Sequence, residues 1–205
     1  MKVLFIGNSH TFYNDMPATF ADLYEAAEGV RPQVTLLGHP GRRWDWHWQE
    51  YYELRFNLMY GAYDYCVIQQ AAHPFPGRET TLEYGEKLIA LCKERNVKLI
   101  LDLAINHTSI QHTWFQEFKQ ARESGDTSNP YYDYYTCVST DEQKNGTTYR
   151  QLSNGAGWYE CNFSGDMPEL NFDNPTVREE TLNIAKYYLD LGVDGFRFDA
   201  VKYIY

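Results

Sequence analysis

Apolar runs and helical spacings alternate along the first half of the chain. Residues 3–6 form an all-apolar run that stops at Gly7-Asn8-Ser9, the pattern of a buried parallel strand followed by a turn. Residues 17–27 have apolar positions at helical spacing and end at Gly29, and residues 34–37 form a second apolar run closed by Gly38, Pro40 and Gly41. The aromatic-rich stretch 44–60 is compatible with helix, and 65–68 predict a third strand ending at Gln69-Gln70. An amphipathic helix over 80–95 and a fourth strand over 97–105 follow. Strands alternating with helices predict parallel pairing through right-handed crossovers.

That rhythm breaks over residues 108–174, which are polar, tyrosine-rich and punctuated by Gly, Asn, Ser and Pro. So long a stretch without regular pattern is usually functional, and it reads as an irregular subdomain inserted after the fourth strand. Regular pattern returns with a helix over 175–191, Pro175 in its first turn and Gly192 past its end, and a fifth strand over 193–198. The expected fold is α/β, a doubly wound, mostly parallel five-stranded sheet carrying that insertion. A partial (β/α) barrel is the alternative.

Composition narrows the class. At 205 residues the chain is short for a complete (β/α)₈ barrel, which needs about 250. Hydrophobic residues at 43% and charged residues at 22% are globular values. A net charge of −10 argues against nucleic acid, which needs a clustered basic surface. The charge is uneven, with 9 basic and 12 acidic residues in 1–95 and 9 basic and 16 acidic in 96–205. The 18 tyrosines and 5 tryptophans can stack on sugars or bases, or fill an α/β scaffold as half-buried rings. Cys66, Cys92, Cys137 and Cys161 have no metal spacing and read as free thiols of a reducing compartment. No apolar run reaches the roughly 18 residues of a membrane span, and the first residues read as a strand and not as a signal peptide. The expectation is a cytoplasmic protein with no membrane or nucleic-acid partner; the sequence does not give its oligomeric state.

Two sets of residues carry chemistry. In the first, Ser9 follows the first strand, where open α/β sheets place ligands. Its hydroxyl can lie in the crevice with backbone N–H groups ready for an oxyanion, or it can cap the next helix. The string Lys2-Val-Leu-Phe-Ile-Gly-Asn-Ser-His-Thr-Phe-Tyr-Asn-Asp-Met-Pro17 resembles the opening block of the SGNH hydrolases, flavodoxin-like esterases and lipases. Residues 38–48 and Val67-Ile-Gln-Gln70 resemble the next two blocks, so the likeness covers about 1–95. It implies an SGNH-like sheet, Ser9 as nucleophile and Gly41 as oxyanion donor, with Gln69 or Gln70 replacing the usual Asn. The family's Asp-x-x-His is absent, which leaves His10, His73 and His107 as substitute bases, while His47 among its tryptophans reads as structural.

The second set is Asp102-Leu-Ala-Ile-Asn-His-Thr-Ser109, Met167-Pro-Glu-Leu-Asn-Phe-Asp-Asn174 and Gly192-Val-Asp-Gly-Phe-Arg-Phe-Asp-Ala-Val-Lys202. Arg197 and Asp199 are two apart and point to one side of a strand, so the guanidinium can hold Asp199 ionised as a carboxylate nucleophile; a surface ion pair is the plainer reading. Together with His112-Thr-Trp-Phe-Gln-Glu117, these strings resemble the α-amylase family of glycoside hydrolases, over about 86–205. The resemblance implies Asp199 as nucleophile, Arg197 as its partner, and Asp102, His107 and Lys202 on the substrate side. It also makes Asn106 a candidate calcium ligand, with no cofactor required, and sets Tyr203 where the family has histidine. Retaining glycosidases need a second carboxyl group as acid, which this family draws from a later strand; Glu169 is not an evident substitute.

The chain therefore divides into an SGNH-like part, 1–95, and an α-amylase-like part, 96–205, with 108–174 inserted, the two meeting within the helix around 80–96. Three functions follow: an α-glucan or α-glucoside hydrolase of weak or absent turnover, a Ser9 esterase, or a folded chimera without efficient catalysis. The partner in the first two is a small molecule or an oligosaccharide.

Overall fold

A computed structural model describes residues 1–50, 52–70, 78–141, 144 and 148–204, of residues 78 and 79 the backbone only. In chain order the elements are β1 (Lys2–Gly7), α1 (Ser9–Phe12), α2 (Met16–Glu28), β2 (Gln33–Gly38), α3 (Trp44–Gln49), α4 (Leu54–Tyr60), β3 (Tyr65–Ile68), α5 (Arg78–Glu94) and β4 (Lys98–Ala104). Then come α6 (Thr113–Ser124), β5 (Cys137–Val138), β6 (Tyr149–Gln151), β7 (Trp158–Glu160), α7 (Pro175–Leu191) and β8 (Gly195–Asp199). The chain forms two units, residues 1–103 with 187–197, and residues 104–186 with 198–205.

The first unit is built on a five-stranded sheet in the order β2-β1-β3-β4-β8. β1 pairs in parallel with β2 and β3, and β3 with β4, in registers such as Val3 to Val34, Val3 to Tyr65 and Tyr65 to Lys98. The Asp194 carboxylate accepts from Leu99 N at 2.9 Å, and Arg197 reaches Asp102, so β8 and β4 run in the same direction. The alternation of β1 decides its two faces. Leu4 and Ile6 join Trp44, Leu54, Leu58, Leu88 and Cys92 under α3, α4 and α5. Val3 and Phe5 join Met16 and Phe20 of α2 on the other side. Helices thus cover both faces, as expected, and the order is that of doubly wound open sheets, 2-1-3-4-5. From β3 onward, β3-β4-β8 are neighbours in chain order, as successive strands of a (β/α) barrel are. The helix expected over 44–60 is two helices, α3 ending at Gln49 and α4 beginning at Leu54.

The second unit corrects the expectation of an irregular insertion. It holds the 12-residue α6 and a three-stranded antiparallel sheet, β5-β7-β6, over one core of Phe115, Phe118, Tyr134, Tyr135, Tyr159 and Val177. The reason is chemical. Tyrosine occupies positions where Leu or Val would have signalled a core, and the buried rings keep partners for their hydroxyls. The Tyr135 hydroxyl lies 2.7 Å from Thr108 Oγ1, and the Tyr159 hydroxyl donates to Gly165 O at 2.9 Å. His112 caps α6, its Nδ1 accepting from Trp114 N, and Gly125 ends the helix at a φ of 73°.

Candidate active site

In the first unit the turn after β1 is built for structure. The cap of α1 is Asn8, whose Oδ1 accepts from His10 N at 3.1 Å, and Ser9 is the first helical residue. Gln69 presents its acceptor to this turn: its Oε1 takes Asn8 N at 3.1 Å and Thr11 Oγ1 at 3.2 Å, while its Nε2 donates to Gln70 O. Gln69 was expected as an oxyanion donor; here one N–H of its amide is given to the neighbouring carbonyl. Gln70 accepts from Trp44 N at 3.1 Å. Gly41 is exposed in the turn after β2 with a φ of 67°. Among the described residues no imidazole hydrogen-bonds to Ser9, and His73 lies outside them. His47 is 1% exposed and faces the Gly7 carbonyl, and burial pushes its pKa down to about 4. His39, which the sequence reading passed over, pairs with Glu53 at 2.7 Å and packs at a tilt against Trp46. Its position just past the β2 run was the available signal.

Further along the same sheet, Arg197 Nη1 lies 3.2 and 3.1 Å from the two carboxylate oxygens of Asp102, whose side chain is only 6% exposed. Spacing had paired Arg197 with Asp199; the structure adds Asp102, one strand away, as a partner. Asp199 is the last residue of β8, half-buried, and is followed by Ala200 at a φ of 54°. A non-glycine residue in that region costs about 1–2 kcal/mol.

The second unit assembles the rest of the motif residues. Residues after β4 pair antiparallel with the Met167–Leu170 string: Leu170 N donates to Asn106 O at 2.7 Å and Thr108 N to Pro168 O at 3.2 Å. This brings Glu169, 3% exposed, against Asn106, 1% exposed. Asn106 Nδ2 donates to Glu169 Oε2 at 2.8 Å, and Asn106 Oδ1 lies 2.8 Å from His107 Nδ1. Glu169 Oε1 accepts from Asn162 N at 3.2 Å. Burial outweighs these hydrogen bonds and raises the Glu169 pKa to about 7. The half-buried His107 ring lies 5.5 Å from Phe163, which is half-exposed and lies 5.3 Å from Tyr203. Phe163 was missed because a lone aromatic in a polar stretch has no periodic signature. Lys202 is exposed with its ammonium over the Tyr203 ring.

Both ends of the Asn106 amide have partners within the protein, and among the described residues no group of three or more His, Cys, Asp or Glu side chains could hold a metal.

Residues 60–205 match the family described as the α-amylase catalytic domain. The chain belongs to the α-amylase family. Over 149 residues it is 42% identical to α-amylase 3 of Dictyoglomus thermophilum, covering 73% of this chain and 28% of that protein. It is 33% identical over 154 residues to an oligo-1,6-glucosidase of Bacillus cereus, covering 71% and 25%. Among solved structures, Amy13B of Eubacterium rectale superposes with a TM-score of 0.60 at 31% identity, over 74% of this chain and 33% of that one. Isomaltulose synthase of Klebsiella sp. LX3 gives 0.59 at 30%, over 72% and 30%. The chain thus spans about a quarter of the length of these two curated relatives. The family match starts at residue 60, upstream of the expected residue 86, and so takes in β3, which the sequence reading had placed with the SGNH blocks. None of the comparisons supports the SGNH resemblance of residues 1–95. No helix among the described residues is long and apolar enough to cross a membrane.

Proposed function

We propose that this chain carries the nucleophile side of an α-amylase-type glycoside hydrolase site for α-glucosides. The observation that carries the reading is the adjacency of β4 and β8, whose polar residues Asp102 and Arg197 are joined at 3.1 Å where both strands lead into their motif loops. In this reading Asp199, two residues beyond Arg197, is the carboxylate that attacks the anomeric carbon. The family likeness supports His107, Asp102 and Lys202 each as substrate-side residues. The family membership and the relatives' printed activities, an α-amylase and an oligo-1,6-glucosidase, support the substrate class.

The chemistry requires a second carboxyl group that protonates the leaving oxygen as the glycosyl–Asp199 bond forms. The motifs within residues 1–205 supply no such acid, so the expectation is α-glucoside binding with slow turnover by these residues alone. The test is titration with maltose and isomaltose followed by NMR, together with release of nitrophenol from nitrophenyl α-glucoside. Saccharide-dependent shifts at His107 and Asp199, and any turnover removed by Asp199→Asn, are expected. Shifts from neither sugar would overturn the reading.

A further inference from the structure

Glu169 is buried, ionisable and absent from the chemistry proposed so far. Its surroundings give it a directional role. A carboxylate offers only acceptors, so the group facing Glu169 Oε2 must donate. That group is the Asn106 amide, which lies 2.8 Å away and therefore turns its Nδ2 toward Glu169. An amide so turned has one orientation left for its oxygen. Asn106 Oδ1 faces His107 Nδ1 at 2.8 Å, and an acceptor there requires a proton on Nδ1. In a neutral imidazole the proton on Nδ1 leaves Nε2 as the acceptor.

The other contacts hold the carboxylate in place. Glu169 Oε1 accepts from Asn162 N at 3.2 Å, and the Asn162 side chain donates to Glu160 at 3.0 Å. The Glu169 backbone lies in the bridge with His107, with Glu169 N donating to Glu160 O at 2.9 Å. Main chain and side chain are therefore fixed from both sides, and the amide between Glu169 and His107 cannot turn over without setting Asn106 Oδ1 against Glu169 Oε2, two acceptors opposed.

We propose that Glu169 is a positioning residue that sets the tautomer of His107 through Asn106. His107 then meets the sugar with Nε2 as a hydrogen-bond acceptor, so it selects a hydroxyl that donates. The proposal rests on the glucoside reading only for what His107 touches; the tautomer itself is a property of the chain.

The experiment is ¹⁵N NMR of histidine-labelled protein at about pH 8, where an ordinary imidazole is neutral. His107 is assigned by comparison with His107→Gln. The expected result is a single Nδ1–H form in the parent. In Glu169→Leu, of similar volume and without acceptors, the expected result is a mixture with the Nε2–H form. Glu169→Asp, which keeps a carboxylate, is expected to restore the Nδ1–H form in part. An Nε2–H ring in the parent overturns the proposal, whatever the variants do. So does a folded Glu169→Leu protein with an unchanged tautomer. Maltose added to the parent separates the two readings. A pure Nδ1–H ring that ignores the sugar leaves the relay standing and removes the glucoside reading. A sugar-sensitive ring whose tautomer ignores residue 169 does the reverse.

Discussion

Arg197 Nη1 holds both carboxylate oxygens of Asp102, at 3.2 and 3.1 Å, across neighbouring strands of one sheet. Asp102 is nearly buried and Arg197 about two-thirds so, and removal of one partner takes a close counter-charge from the other. Arg197→Leu is therefore expected to cost about 2–4 kcal/mol, more than Asp102→Asn, which keeps acceptor and volume. Urea unfolding of both variants checks this; an Arg197→Leu loss below that of Asp102→Asn would sink it.

Glu169 gives stability a slope with pH. Its folded pKa, about 7, stands above the ordinary 4.5, so between these values the native state binds a proton that the unfolded chain has released. This contribution is complete below pH 4.5 and is lost as pH rises through about 7. Glu169→Gln, which has no charge to bury, is expected to flatten that part of the profile. Thermal melts of the two proteins across this range provide the comparison.

His47 acts with the opposite sign. Its folded pKa, about 4, lies below the ordinary 6.5, so the unfolded chain takes up a proton first as the solution is acidified. Its contribution is present above pH 6.5 and is lost as pH falls toward 4. Replacement with Phe, which fits a ring-lined site and cannot charge, is expected to reduce acid sensitivity. An acid limb as steep as the parent's would contradict the assignment.

Phe163 is half-exposed between His107 and Tyr203 and has little burial to lose. Phe163→Ala is expected to leave the melting midpoint within a few degrees and weaken maltose binding by about 3- to 10-fold, the range of one aromatic stacking contact. A large loss of stability with unchanged affinity would reassign the ring to the core.

What was legible in the sequence follows from where apolar residues carry the fold. β1 is buried on both faces and therefore reads as a continuous run, and Pro17 and Gly29 bracket α2 by the backbone constraints they impose. The second unit was not legible, because Tyr134, Tyr135 and Tyr159 fill its core with residues that hydropathy counts as indifferent. Arg197 and Asp199 were paired from strand spacing, and Asp102 and His107 were named from the family resemblance of their motif. The Asp102–Arg197 and Glu169–Asn106 contacts join residues 95 and 63 positions apart, beyond any local pattern. Which end of the Gln69 amide faces Asn8 was likewise not legible, because it is set by the Gln70 carbonyl on its other side.

Among the described strands β8 stands at the rim of the sheet, which has a consequence for motion. A strand held by one ladder opens more readily than the β1 and β3 strands between two neighbours. Amide exchange should therefore reach residues 195–199 before it reaches β1. The Asp102–Arg197 clasp, with the Asp194 carboxylate on Leu99 N, is then what ties β8 to β4 against such opening.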